Sequence, residues 1–161
     1  MTSAYSAVAA VDNLTLAVGY NSLGTKGIDL VNLSGVVLCQ ICSTVHPYYM
    51  VATSDGHLMC STWDNKIARV ELGTGQVIFN NAVPQIDNPA GIGIETDDFL
   101  CITDWKKGML HLISSNGTWS KQMGSALSGT SQADILWSVS VDNGTCVCVT
   151  KYGSVIVLDR L

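Results

Sequence analysis

Short apolar runs recur along the whole chain, and glycine, asparagine, aspartate or serine residues separate them. Within many runs apolar and polar residues alternate, as in KGIDLVNL (Lys26–Leu33) and KIARVEL (Lys66–Leu72). Alternation with a period of two predicts half-buried β-strands, and the residues between them are those that form tight turns. No segment keeps the 3.6-residue period of a helix. The pattern therefore predicts an all-β protein.

The runs are organised as a repeated unit of four short strands. The second strand of each unit ends in a similar segment. The four segments are LAVGY, MCSTW, LCITDW and VCVTKY, and their alignment places Val18, Thr62, Thr103 and Thr150 in one column. The copies recur about every 40–47 residues, and a four-stranded unit of that length is typical of a β-propeller blade. We predict a single propeller domain over residues 1–161. Its blades lie approximately at 5–45, 46–87, 88–133 and 134–161.

The fourth unit ends after its third strand, so we predict a partial propeller whose last blade lacks its outer strand. An unpaired strand edge tends to recruit another strand. Three arrangements fit this pattern: a piece of a larger propeller, an unusual four-bladed ring, or a half-propeller that closes by pairing with a second copy. A homodimer through the open blade edges is therefore one expected partnership.

Composition supports a folded chain without metal or cofactor. The 161 residues are 47% hydrophobic and 13% charged, which disfavours disorder and allows a sizeable core. There is no apolar run of about 18 residues and no basic leader, so we expect no membrane association and a cytoplasmic location. The six cysteines lie in strand-like runs such as VLCQIC and TCVCVT, where we expect reduced, buried thiols rather than metal ligands.

The loops that follow the second strand of each unit contain the candidate binding residues. Each of these loops is predicted to begin with an aromatic residue and to contain lysine; the residues are Tyr20, Lys26, Trp63, Lys66, Trp105, Lys106, Lys107, Lys151 and Tyr152. The loops are thus basic although the chain carries a net charge of −5. Such a set can pack between blades, anchor a protein or peptide partner, or stack on RNA bases and neutralise phosphates. His46, Tyr48, Tyr49 and Trp137 are weaker candidates on the neighbouring connections.

Catalytic motifs are missing from the sequence. It contains no G-x-S-x-G elbow, no H-E-x-x-H and no complete phosphate-binding loop. The aspartates that recur in the turn between the first and second strands are ordinary turn residues. We therefore expect a binding module and not an enzyme.

Two stretches resemble known propeller families. NPAGIGIETDDFLCITDWKKGMLHLISSNG (Asn88–Gly117) resembles an NHL-type repeat. KGIDLVNLSGVVLCQI with HPYYMVATSDGHLMCST resembles the C-terminal propellers of the large invertebrate, mollusc-like TRIM family. Only Asn88–Gly91 keeps the Pro-x-Gly entry of the repeat. The resemblance implies substrate selection for ubiquitin ligation by RING and B-box modules, whose clustered Cys/His ligands this sequence lacks. It also implies RNA binding as an alternative.

Overall fold

A computed structural model describes residues 5–22, 25–42, 44–96, 99–118, 120–123, 136–142, 145–150 and 155–159. Every regular element in these ranges is a β-strand, and each sheet is antiparallel with strands adjacent in chain order. The all-β prediction is confirmed. Within these ranges no helix has the length and apolarity needed to cross a membrane. The chain divides into two compact units, Met1–Asn81 and Ala82–Leu161.

Unit 1 contains two four-stranded sheets, here called blade 1 and blade 2. The strands of blade 1 are β1 (Tyr5–Ala10), β2 (Thr15–Ser22), β3 (Thr25–Asn32) and β4 (Val37–Cys42). The strands of blade 2 are β5 (Pro47–Ala52), β6 (His57–Thr62), β7 (Ile67–Glu71) and β8 (Val77–Asn81). One core joins them. It is formed by the facing side chains of both sheets, among them Ala9, Ala17, Ile28, Leu58, Cys60 and Val70.

Unit 2 contains blade 3, with four strands, and blade 4, with three strands among its described residues. The strands of blade 3 are β9 (Pro89–Thr96), β10 (Phe99–Asp104), β11 (Met109–Ser114) and β12 (Ser120–Gln122). The strands of blade 4 are β13 (Leu136–Asp142), β14 (Thr145–Thr150) and β15 (Val155–Asp159). The core between blades 3 and 4 contains Cys101, Leu110, Val139, Cys146 and Cys148.

Strand pairing corrects the repeat alignment by one residue in blade 3 and by two residues in blade 1, where Tyr20 and not Val18 takes the position of Thr62. Thr62 pairs with Pro47, the first residue of β5, and Asp104 pairs with Pro89, the first residue of β9. Thr62 therefore corresponds to Asp104 and not to Thr103. A shift of one residue moves a side chain to the opposite face of the sheet, so the correction changes which residues are buried together.

The cysteines are free, and those at positions 42, 60, 101, 146 and 148 are buried as predicted. Cys39 is the exception, because it lies on an exposed stretch of β4. Burial raises the pKa of Cys60, and burial raises the pKa of Cys148 to about 12. These thiols stay protonated at neutral pH and act as small core side chains.

Candidate functional site

A rigid turn between β6 and β7 presents Trp63. The Thr62 amide donates to the Lys66 carbonyl at 2.9 Å, and the Thr62 hydroxyl donates to the Asp64 carboxylate at 2.7 Å. Asn65 takes a left-handed backbone conformation with φ of 60°, which asparagine tolerates better than most residues. The turn is thus fixed by its own hydrogen bonds. Trp63 projects from it with 54% of its surface exposed.

The rings of His46, just before β5, and of Tyr48, within β5, support the Trp63 indole. The His46 ring stacks on it with a centroid distance of 5.6 Å, and the Tyr48 ring meets it edge-on at 4.4 Å. Tyr49 in turn contacts Tyr48 edge-on at 5.1 Å. The Trp63 amide donates to the His46 carbonyl at 3.1 Å, which ties the turn to this segment. We call His46, Tyr48, Tyr49 and Trp63 the aromatic surface.

A cavity of about 410 Å³ adjoins the aromatic surface within unit 1. Its lining is Ser6, Ala7, Val8, Val18, Tyr48, Tyr49 and Met50. This volume falls in the range of about 300–1,000 Å³ that is typical of ligand pockets. Burial, and then the neighbouring Tyr48, raise the pKa of Tyr49 to about 12, so its phenol stays neutral at physiological pH. Tyr48 and Tyr49 belong to both features and connect them.

The aromatic surface has little net charge. The Lys66 ammonium pairs with the Asp64 carboxylate at 2.6 Å. Burial lowers the pKa of His46, the charge of Lys26 lowers it further, and Asp64 opposes that shift in part. His46 is therefore neutral at pH 7. A neutral aromatic surface beside an apolar cavity suits an uncharged or apolar ligand better than a phosphate chain.

Tyr20 does not lie in a loop, contrary to the prediction. It is a residue of β2, it pairs with Tyr5, and its side chain is buried. Its hydroxyl accepts a hydrogen bond from the Gln40 amide group. The slipped repeat alignment caused this error, because Tyr20 occupies the position of Thr62 and not that of Trp63. Tyr20 is a packing residue of blade 1, whereas Lys26 is exposed at the start of β3.

The corresponding loop of blade 3 has a different construction. The Trp105 amide donates to the Asn88 carbonyl at 3.0 Å, and the indole is half-buried with the Lys106 ammonium 5.3 Å from its ring centre. The Lys107 ammonium lies 2.8 Å from the Asp87 carboxylate. Asp87 belongs to the segment before β9, so it was missing from the predicted charge of the loops. The loop is less basic than its sequence indicates.

Two of the predicted binding residues, Lys151 and Tyr152, lie outside the described residues, and so does the side chain of Trp137. The predicted set is therefore divided. Trp63 and Lys66 lie at the aromatic surface of unit 1, and Trp105, Lys106 and Lys107 share one loop of unit 2.

Sequence reasoning missed a buried polar group in blade 3. The Asp104 carboxylate is buried and accepts hydrogen bonds from the Asp87 amide at 2.9 Å and the Lys107 amide at 3.4 Å. His111 is also buried, and neither of its ring nitrogens has a hydrogen-bond partner among the described residues. The sequence offers one signal for the buried Asp104 carboxylate. When Asp104 is aligned with Thr62, it takes the last position of a strand, directly before a turn.

His111 makes the stability of the protein dependent on pH. Burial lowers the pKa of the folded His111 imidazole, and Lys107 lowers it further, against the opposing effects of Asp104 and Asp87. As pH falls below about 6.5, the His111 imidazole therefore takes up a proton in the unfolded chain before it does so in the folded chain. The free energy of unfolding decreases until the folded pKa is passed.

We expect His111→Leu to increase the free energy of unfolding by about 1–2 kcal/mol at pH 7, because two unpaired nitrogens are removed.

Urea unfolding from pH 7.5 to 5 checks this expectation. The variant should lose part of the wild-type decrease at low pH, and a residual slope should remain from His46, whose pKa is also lowered. Equal slopes in the two proteins would contradict the role given to His111.

Comparisons with known proteins define the fold class, which is the β-propeller. The chain is similar to the computationally designed Ika4 protein, with a TM-score of 0.69 and 15% identity over 100% of this chain and 94% of that one. It is similar to virginiamycin B lyase from Staphylococcus aureus, solved as a catalytically inactive variant with quinupristin, with a TM-score of 0.67 and 13% identity. The designed Ika8 protein matches with a TM-score of 0.66 and 14% identity.

The chain spans about half the length of two of these structures. It covers 56% of the lyase and 46% of Ika8, while 98% and 97% of this chain are aligned. No protein-family model and no curated protein sequence matches the chain. The likenesses confirm the predicted propeller fold, and identities this low show the fold alone.

Proposed function

We propose that the chain is a non-catalytic recognition module that binds a peptide segment of a protein partner on the aromatic surface of unit 1. This proposal rests on the exposed Trp63. Its indole is 54% exposed and two other rings hold it in place, so it is preorganised to contact a partner. Tryptophan and tyrosine are the residues that most often dominate protein interfaces.

The electrostatics favour a peptide over the alternative RNA ligand. Lys66 pairs with Asp64, and Lys107 pairs with Asp87. To bind RNA phosphates, the Lys66 and Lys107 ammonium groups would have to give up these carboxylates. The chain as a whole is also acidic. A neutral peptide requires no such exchange. In a longer polypeptide with RING and B-box modules, as the TRIM resemblance implies, the bound segment would be a target for ubiquitin transfer.

Trp63→Ala tests the proposal. The wild-type chain is used to select binders from a display library of random 12-residue peptides, and a selected peptide is then titrated by calorimetry. We expect Trp63→Ala to weaken its affinity at least about 30-fold, as for an interface hot spot worth about 2 kcal/mol. Trp105→Ala, which removes the corresponding indole of blade 3, is the matched control and should change the affinity less than about threefold.

A parallel titration with a random single-stranded RNA pool at 50 mM salt tests the alternative. Tight RNA binding without any selected peptide would overturn the proposal. A selected peptide whose affinity depends on Trp105 and not on Trp63 would place the binding surface elsewhere and would also overturn it.

A further inference from the structure

A β-bulge interrupts the regular alternation of β5 at Tyr48. In the pairing of β5 with β6, Pro47 is opposite Thr62 and Tyr49 is opposite Ser61, so Tyr48 is the additional residue on its strand. A bulge bends the strand and re-aims the side chain of the additional residue. In blade 2 this brings the phenol ring against the exposed indole of the aromatic surface.

Hydrogen bonds hold the bulge from both sides. The Tyr49 amide donates to the Ser61 hydroxyl at 3.2 Å, and the Ser6 hydroxyl of β1 donates to the Pro47 carbonyl at 3.1 Å. Ser6 is itself the additional residue of the corresponding bulge in blade 1, so the fold does not require an aromatic ring at this position. The ring of Tyr48 is thus in place before a ligand arrives, which lowers the entropy cost of binding.

Three rings of the aromatic surface meet one another at steep angles. The planes of Trp63 and Tyr48 lie at 65° with a centroid distance of 4.4 Å. The planes of Tyr48 and Tyr49 lie at 82° with a centroid distance of 5.1 Å. Each steep contact leaves an angular recess between two rings, and we call these two recesses the ring notches. Tyr48 is a wall of both notches.

The pyrrolidine ring of proline has the shape that such a notch takes. It is compact, apolar and uncharged, and it contacts both walls with its methylene groups. Proline-rich segments already form a polyproline II helix before they bind, and grooves lined by aromatic residues recognise them. The backbone of this helix has no internal hydrogen bonds, so its carbonyls need donors. The indole N–H of Trp63 is a donor of the required kind.

A cationic ligand fits the aromatic surface less well. Methylated lysine binds in cages whose rings stand around the ammonium group, whereas these rings are in direct contact with one another. Burial, and then the charge of Lys26, lower the pKa of His46, so a positive charge already acts on the surface. The Asp64 carboxylate is paired with Lys66. Ring geometry and charge therefore both favour an uncharged ligand.

We infer that the peptide bound by the aromatic surface is a proline-rich segment in the polyproline II conformation, with proline rings in the two notches formed by Trp63, Tyr48 and Tyr49. This inference rests on the proposed function, because it names the class of peptide that the same surface takes. All the groups that it uses belong to unit 1.

The composition of the selected peptides is the first test. Peptides selected from the display library by the wild-type chain should contain proline at least about threefold more often than the unselected library. In one selected peptide, replacing a notch proline with alanine should weaken the affinity at least about tenfold, because alanine lacks the ring methylenes and the fixed φ. This substitution is made in the peptide, so it leaves the folding of the protein unaffected.

Variants of Tyr48 test the notches in the protein. Tyr48→Leu keeps an apolar side chain but removes the wall that the notches share, and it should weaken the binding of the proline-containing peptide at least about tenfold. Tyr48→Phe is the matched control, because it keeps the ring, and it should change the affinity less than about threefold. Circular dichroism monitors the folding of both variants.

The possible failures separate this inference from the proposed function. Selected peptides that depend on Trp63 but show no enrichment of proline, or that tolerate its replacement by alanine, would overturn the inference and leave the proposed function standing. Selected peptides that depend on a lysine instead would do the same. A library that yields no binder would overturn both.

Discussion

Asp104→Ala is expected to destabilise the protein by about 2–4 kcal/mol, a large fraction of the stability of a typical domain. The carboxylate is buried and holds the Asp87 and Lys107 amides, so its removal leaves both donors without an acceptor. The Lys107 ammonium, 3.8 Å from the same carboxylate, also loses a partner. Denaturant unfolding at pH 7 measures the change.

Two other substitutions sharpen the interpretation of this result. Asp104→Asn keeps an oxygen acceptor and should therefore lose less stability than Asp104→Ala. Asp64→Ala removes an exposed carboxylate from the corresponding turn of blade 2, where the pair with Lys66 is open to water, and should cost less than about 1 kcal/mol. If Asp104→Ala and Asp64→Ala had equal effects, the buried carboxylate would not organise the turn.

Gly91→Ala has the second largest expected effect. A Cβ at this position would lie 2.5 Å from the Ser138 Cα and 2.6 Å from the Val139 amide nitrogen. These are backbone atoms of β13, so no side chain can rotate away and the two strands must separate. Overpacking of this kind costs about 2–3 kcal/mol. Thermal unfolding followed by circular dichroism would record the loss.

Gly93→Ala is the matched control on the same strand. Its added Cβ would lie 3.1 Å from a methyl group of Val141, which can adjust. Replacing a strand glycine also lowers the entropy of the unfolded chain, which offsets part of the crowding. We expect a change below about 1 kcal/mol in either direction. A loss for Gly93→Ala as large as that for Gly91→Ala would contradict the close approach of β9 and β13.

The strands could be predicted from the sequence because a half-buried strand repeats its polarity every two residues. KIARVEL shows this alternation and contains β7 (Ile67–Glu71). The exact register could not be predicted in the same way. Thr62, Thr103 and Asp104 all suit the end of a strand, and only the pairing with Pro47 and Pro89 shows which of them correspond.

The candidate site could be predicted only in part, because it also depends on strand register and on tertiary packing. Trp63 is exposed as a binding residue must be, whereas Tyr20 was assigned to a loop through the slipped alignment. The packing of His46 and Tyr48 on Trp63 joins the two ends of a β-hairpin, and local patterns do not report how such rings pack. The pairing of Lys107 with Asp87 also depends on tertiary structure. Sequence patterns therefore predicted the basic loops but not the neutralisation of Lys107 by Asp87.

Hydrogen exchange, measured by mass spectrometry with and without a selected peptide, tests the central claim most directly. The claim is that this propeller chain recognises a peptide through Trp63 and the rings that support it. Bound peptide should slow exchange in residues 46–50 and 61–66, which include the aromatic surface and its turn, and should leave residues 103–109 unchanged. Slower exchange in residues 103–109 with none in the first two segments would contradict the account.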